Sequence, residues 1–265
     1  MSIDRKTAVI FGGSGAIGGA VAAALARRGA DVHLGGRNRR PLDETARAIR
    51  DEGGTVHTFE VDALGEQTTS KQMEQLADQS GGIDIVVNAT GFMHDQGKEI
   101  GDLSLEEFLQ GVTPFVSAQF NICKAVAPHM GGERGGTIIT FVAPAARMAA
   151  PGHLGHITGC AGIEAFVRAL ASELGPRNIR VLGLRSHAIP DAIDAGSYTA
   201  EVFAPKARAM GLTVKDWLGG AAAGTMLKRM PSLSQVAETV AFLASDHAGA
   251  MTGTTINVTA GLTTE

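Results

Sequence analysis

Two groups of residues in this chain have types and spacings that could do chemistry. The first is Phe11-Gly12-Gly13-Ser14-Gly15-Ala16-Ile17-Gly18, in which glycines at 13, 15 and 18 fall in the spacing G-x-G-x-x-G. Glycines let a backbone pass close to a pyrophosphate, and a helix opening directly after them turns unpaired N–H groups and a positive dipole end toward the charge. The second is His153, His156 and Cys160, an H-x2-H-x3-C set whose last two members stand one helical turn apart. An imidazole exchanges protons near neutral pH, and a cysteine one turn away could serve as a nucleophile or, with His153 and His187, as a metal ligand. One helix start without a separate second pair of ligands is not a zinc pattern, so no metal is expected. The plainer role for Cys160 is that of a small apolar thiol filling space.

A third feature decides between cofactors. A candidate strand ends Leu34-Gly35-Gly36-Arg37-Asn38-Arg39-Arg40, where NAD-selective dinucleotide folds place an acid to hold the ribose 2′-hydroxyl. No acid is present. Arg37, backed by Arg39 or Arg40, suits a 2′-phosphate instead, so NADP(H) is expected over NAD(H). The competing reading is a solvated basic start to the next helix.

Elements that could position these groups are legible along the chain. Short β-branched runs at Thr7 to Phe11, Asp31 to Leu34, Thr55 to Val61, Ile83 to Val87, Thr137 to Val142, Arg180 to Leu184 and Thr254 to Val258 predict about seven strands. Helical apolar periodicity predicts helices over Ile17 to Arg28, Leu42 to Arg50, Thr68 to Ala77, Leu105 to Ala127, Gly159 to Leu174 and Ser234 to Ala244. Their alternation predicts an α/β fold, doubly wound and Rossmann-type, with a central parallel sheet and right-handed crossovers. No repeat or linker divides the chain, so 1–265 reads as one dinucleotide-binding domain. Ser186 to Arg229 lacks clear periodicity and holds the single Tyr198 and the single Trp217; a loop of that length at about 186–229 is expected to cover a substrate.

Composition excludes several classes. With 23 basic and 27 acidic residues, a net charge of −4 and no basic block, no nucleic-acid partner is expected. No apolar run is long enough to span a bilayer, so no membrane partner is expected either. Two cysteines, Cys123 and Cys160, are too few for a disulfide framework, and Met1 to Lys6 is polar rather than secretory, which predicts a cytoplasmic protein.

Further pieces then fall in one order. Asp62-Ala63 matches an adenine-contacting Asp-hydrophobic pair, Asp84-Ile85-Val86-Val87-Asn88-Ala89-Thr90-Gly91 a D-x-x-V-N-N-A-G strand end, and Ala125-Val126-Ala127-Pro128-His129-Met130 a helix end. Glu173-Leu174-Gly175-Pro176-Arg177-Asn178-Ile179-Arg180-Val181 matches E-L-x-P-x-x-I-R-V, and Thr252 to Gly261 a T-G-x-x-x-x-V-D-G-G ending. Over nearly its whole length the chain resembles the short-chain dehydrogenase/reductase family. The first motif departs from the family's T-G-x-x-x-G-x-G at Phe11 and at Ala16.

The resemblance implies the strand order 3-2-1-4-5-6-7 and a cofactor site of Gly12, Ser14, Gly15, Ala16, Ile17, Gly18, Arg37, Asp62, Ala63, Asn88, Ala89 and Thr90. It also implies a homodimer or homotetramer built on Leu105 to Ala127 and Gly159 to Leu174, acting on a small molecule. The family's catalytic tetrad, placed by spacing, falls on Phe115 (asparagine), Ala143 (serine), His156 (tyrosine) and Cys160 (lysine), so all four types are changed. Ser186-His187 replaces the family's Pro-Gly, and Asp191 the threonine that follows it. Loss of a positioned general acid costs about 10²–10⁴ in rate, so ordinary carbonyl reduction is not expected. Three readings follow: an NADP(H)-linked oxidoreductase with a non-standard acid such as His156, an enzyme of non-redox chemistry such as cyclisation, isomerisation or elimination, and a cofactor- or metabolite-sensing pseudoenzyme.

Overall fold

In the computed structural model, which describes residues 3–264, the β-branched runs form the strands β1 (Thr7–Phe11), β2 (Asp31–Gly36), β3 (Val56–Glu60), β4 (Ile85–Asn88), β5 (Gly136–Val142), β6 (Ile179–Ser186) and β7 (Thr254–Val258). Met1, Ser2 and Glu265, the ends of the expected 1–265 domain, lie outside the described residues. All six pairings are parallel, in the order β3-β2-β1-β4-β5-β6-β7. Parallel strands are buried on both faces, which is why β1 reads as an apolar run, Ala8 to Phe11, behind a buried Thr7.

Alternate residues of the strands feed two cores. Ala8, Ile10, Val32, Leu34, Ile85 and Val87 pack beneath α1 (Ala16–Ala26), α2 (Arg39–Asp51) and the last helix. Val9, Phe11, Val86, Ile138 and Val181 face α3 (Glu66–Ser80) and two central helices. The period of two along each strand assigns successive side chains to opposite layers.

The structure corrects the expected helices in two places. The helix expected over Leu105 to Ala127 is broken into α4 (Leu105–Gln110) and α5 (Thr113–Val126). Pro114, within the first turn of α5, cannot donate to the carbonyl four residues back, and Gly111 closes α4. The following helix, α6 (Leu154–Leu174), begins five residues before Gly159, so His156 and Cys160 both lie inside its first two turns. Three glycines allow its close approach: a Cβ on Gly155 would overlap the Phe108 carbonyl, one on Gly159 the Gly111 carbonyl, and one on Gly111 the backbone at Gly155 and His156.

The second correction concerns the aperiodic segment, which folds into α7 (Pro190–Asp194), α8 (Thr199–Ala209) and α9 (Val214–Ala223) before α10 (Leu233–Ala244). These helices are short, and few of their residues are buried, so no apolar stripe recurs often enough to register as a period. Phe203 against Trp217, ring centroids 4.8 Å apart, ties α8 to α9.

Candidate active site

The carboxyl ends of β2, β1 and β4 open onto a cleft of about 450 Å³. In open α/β sheets this is where crossovers leave a crevice beside helix N-termini. Gly12 sits at φ +77°, a left-handed conformation that favours glycine, and a Cβ there would lie 2.5 Å from the Ala89 carbonyl oxygen. The amides of Gly12 and Gly13 both donate to the Gly35 carbonyl at 3.0 Å, fixing the turn to the end of β2. A Cβ on Gly18 would overlap the Gly12 carbonyl. No side chain caps α1 at Gly15, so its first-turn N–H groups are available to an anion.

Ten of the twelve expected cofactor residues line this cleft: Gly12, Ser14, Gly15, Ala16, Ile17, Arg37, Asp62, Ala63, Ala89 and Thr90. Gly18 and Asn88 act from behind it. Asn88 is buried; its amide donates to Gln119 at 2.7 Å, and its Oδ1 accepts from the Thr90 amide and hydroxyl at 3.1 and 2.6 Å. Thr140 also donates to Gln119 at 2.7 Å, so a buried polar chain holds the end of β4 in place. Asn121 donates to the Ala63 carbonyl at 3.0 Å from α5.

The support expected for Arg37 is not present. Arg39 binds Asp43 at 3.0 and 3.1 Å, and Arg40 binds Glu44 at 3.0 Å, both one turn apart on α2, so Arg37 enters the cleft without them. The Thr58 hydroxyl and then Arg39 hold the Asp43 carboxyl below its usual range, consistent with a settled pair.

The other end of the cleft is walled by Phe92 and Tyr198, and behind Phe92, in contact with its ring, lies the junction of α4, α5 and α6. His156 is buried, its ring stacked on His94 at 4.1 Å and 13°, with the Phe115 ring at 5.8 Å. Phe115 also meets Phe92 at 5.3 Å and His94 at 5.6 Å, an aromatic cluster at the position where the sequence comparison led to the expectation of a changed asparagine. Burial, then the neighbouring His94 and His153, pushes the His156 pKa down to about 3. At neutral pH it is an uncharged imidazole with one N–H, not the imidazolium that a histidine acid would need.

Cys160 lies with its sulfur 3.7 and 3.8 Å from the His156 ring nitrogens, and burial pushes its thiol up to about 11. A neutral thiol beside a neutral imidazole is not an activated nucleophile. Ala143, next to β5, contributes a backbone hydrogen bond to that thiol and no side-chain polarity. The H-x2-H-x3-C set does not converge, since His153 Nδ1 bonds the Pro151 carbonyl at 2.8 Å and its Nε2 faces Lys206 Nζ at 3.4 Å. His187 Nδ1 accepts from the Ala188 amide at 2.7 Å, and Asp191 accepts from the Leu233 amide at 2.9 and 3.1 Å, capping α10 rather than facing the cleft.

One group at this end did not come from motif spacing. Tyr198, just before α8, lines the cleft together with Gly91 and Phe92, and its hydroxyl packs so tightly on Gly91 that a Cβ there would overlap it. Burial, then the nearby Cys160, raises its pKa to about 12, against a hydrogen bond from the Phe92 backbone. The phenol is therefore a protonated donor at neutral pH, although its ring remains 37% exposed. Its being the chain's single tyrosine in an aperiodic stretch was the one available signal. Behind the site, Arg185, 1% exposed, donates to Glu164 at 2.6 and 2.8 Å, and Arg147 donates to the same carboxylate at 2.9 Å. These charges satisfy one another and fasten the end of β6 to α6.

A family profile described as enoyl-(acyl carrier protein) reductase matches residues 13–263. The chain belongs to this group of short-chain dehydrogenases/reductases, a family of oxidoreductases. It is 28% identical over 260 residues to the 3-oxoacyl-[acyl-carrier-protein] reductase FabG of Chlamydia trachomatis, covering 97% of each chain. It is 30% identical over 271 residues to nodulation protein G of Rhizobium meliloti, covering 98% of each. Among solved structures, an NAD⁺-bound xylitol dehydrogenase superposes with a TM-score of 0.87 at 22% identity, covering 98% of this chain and all of the other, 100%. Of these, the xylitol dehydrogenase holds NAD⁺ in its structure. No helix among the described residues is long and apolar enough to cross a membrane.

Proposed function

We propose that this chain is an NADP(H)-linked oxidoreductase acting on a small-molecule substrate, with the Tyr198 hydroxyl, rather than a group on α6, as the donor to the substrate oxygen. The observation that carries the reading is the single cleft running from Arg37 at the end of β2 to Tyr198 over the end of β4, across the glycine turn. Those ends are two strand spacings apart, roughly 10 Å, with the glycine turn between them. The α1 N-terminus and the glycine turn hold the pyrophosphate, Arg37 pairs with the 2′-phosphate, and Asp62, Ala63 and the Asn88 to Thr90 segment bound the remainder. When bound, the dinucleotide supplies or accepts a hydride.

Phe115, Ala143, His156 and Cys160, the expected tetrad positions, stand uncharged behind the cleft on this reading. His156 donates at most its neutral N–H. Tyr198, protonated and lining the cleft, polarises the substrate oxygen, and without a neighbouring lysine it releases its proton reluctantly. Simple ketones and aldehydes are accordingly expected to be poor substrates. The chain is further inferred to be cytoplasmic and to form a homodimer or homotetramer through α5 and α6, where Phe120, Ala161, Gly162 and Ala165 are exposed.

The test is NADPH binding by calorimetry followed by NADPH consumption over a broad carbonyl panel, comparing the parent with Tyr198→Phe and His156→Ala. Tight NADPH binding and a rate lowered about 10²–10⁴-fold by Tyr198→Phe are expected. Loss of rate in His156→Ala alone would transfer the donor role to His156, and failure of NADPH to bind would overturn the reading altogether.

A further inference from the structure

The end of the sheet opposite the cleft carries a second group of chemistry-bearing side chains. Asp31 opens β2 and His33 follows two residues later, so both project from the same face. His57 on the edge strand β3 is the direct cross-strand partner of His33. The pairing register therefore gathers one carboxylate and two imidazoles from residues up to 26 positions apart in the chain.

Their geometry is that of a ligand set. One donor atom from each of Asp31, His33 and His57 lies within 4.8 Å of the other two. Asp31 Oδ1 is 3.2 Å from His57 Nε2, and Oδ2 is 3.8 Å from His33 Nε2. Ligand atoms at about 2.0–2.1 Å from a tetrahedral zinc stand roughly 3.4 Å apart, close to the Asp31–His57 separation and within the 4.8 Å that bounds the set. Despite the proximity, Asp31 Oδ1 and His33 Nε2 are buried without a hydrogen-bond partner among the described residues. Buried polar atoms left unpaired are costly, and a shared cation would give both lone pairs a partner.

The surroundings suit a cation. The three residues open onto a cavity of about 390 Å³, whose remaining wall includes Gln72, Gln75 and Gln79 along α3 and, among the described residues, no Lys or Arg. Three protein ligands with an open fourth side is a recurrent zinc arrangement, and imidazole nitrogens favour zinc and its later transition-metal neighbours over magnesium or calcium.

We propose that Asp31, His33 and His57 bind one divalent cation of the zinc class, clamping the edge strand β3 to β2 at the end of the sheet remote from the cofactor cleft. The site stabilises the folded chain by mass action and leaves NADPH binding unchanged. It stands independently of the proposed activity.

The test uses tag-free, full-length protein dialysed against chelator and then titrated with ZnCl₂ by calorimetry, beside His57→Ala and Asp31→Asn. His57 is 57% exposed, so its alanine variant is expected to fold. One zinc per chain is expected, with a raised melting temperature, and each substitution should weaken binding by at least about a hundredfold, since even supporting groups around a metal are worth 10–100-fold. Co²⁺ in place of zinc should give the intense visible bands of a tetrahedral site in the parent and not in His57→Ala. Absence of stoichiometric binding, or zinc binding that is unaffected by both substitutions, overturns the proposal.

Discussion

The two ends of the cleft are made of different material. At the β1–α1 turn the surface offered to a ligand is backbone, shaped by Gly12, Gly13 and Gly18, each of which lies where a Cβ would collide with a neighbour. At the other end the wall is made of side chains, Phe92 and Tyr198, with Phe115, His156 and Cys160 packed behind them at the α4–α5–α6 junction, where glycines again permit close packing. A site made of backbone can change only by losing the turn, whereas a site made of side chains can change its chemistry one residue at a time on an unaltered scaffold. In this chain the two ends therefore need not report the same activity, and each is tested separately.

The largest effect is expected at the backbone end. Gly18→Val places a branched side chain against the Gly12 carbonyl, so either the turn or α1 must move. NADPH affinity should fall by at least about a hundredfold, roughly 2.8 kcal/mol, while overpacking costs about 1–3 kcal/mol of stability. Gly162→Ala is the matched control, because a Cβ there meets Val116 at an ordinary 3.9 Å. Melting curves with and without NADPH provide the readout, and a ligand-induced shift surviving in the Gly18 variant would remove the pyrophosphate from this turn.

A smaller effect is expected where one side chain does the selecting. Arg37→Glu should weaken NADPH by about 10–100-fold, the range of one charge-assisted hydrogen bond or a bidentate pair, and leave NADH nearly unchanged. Because Arg39 and Arg40 are held by Asp43 and Glu44, neither should compensate. Equal affinity of the parent for the two dinucleotides would end the assignment of Arg37.

The same contrast explains what could be read before the structure. Strands buried on both faces announce themselves as β-branched runs, and the glycine spacing marks the turn, so the strands and the cleft's first half were legible, while the sheet order followed only from the family resemblance. The break at Gly111 was not, because Phe108, Val112, Phe115 and Val116 keep a helical period straight through it. Nor were α7, α8 and α9, whose few buried positions leave no stripe. Tyr198 reaches the cleft from that segment by tertiary packing alone, and Asp31, His33 and His57 meet only through strand register. Juxtapositions of this kind are set by long-range pairing, to which local spacing is blind.

The smallest effect expected concerns the stacked histidines, and its sign follows from their burial. The folded-state pKa of His156 is depressed from 6.5 to about 3, chiefly by burial and then by His94 and His153. The unfolded chain thus binds a proton that the folded chain refuses, so this group's contribution is intact above about pH 6.5 and is lost progressively as the pH falls toward 3. At about pH 5.5 the penalty is near 1.4 kcal/mol, one pKa unit of differential protonation. His156→Phe keeps a ring stacked on His94 and removes the titration, so its stability should decline less on acidification. His94, also depressed by burial, remains in the variant, and the acid limb should be reduced rather than abolished. Thermal melts of both proteins between neutral pH and about pH 5.5 would show it, at roughly 2–4 °C per kcal/mol for a domain of this size. Parallel declines would mean that His156 is protonated readily in the folded chain, and that an imidazolium acid on α6 must be restored to the mechanism in place of Tyr198.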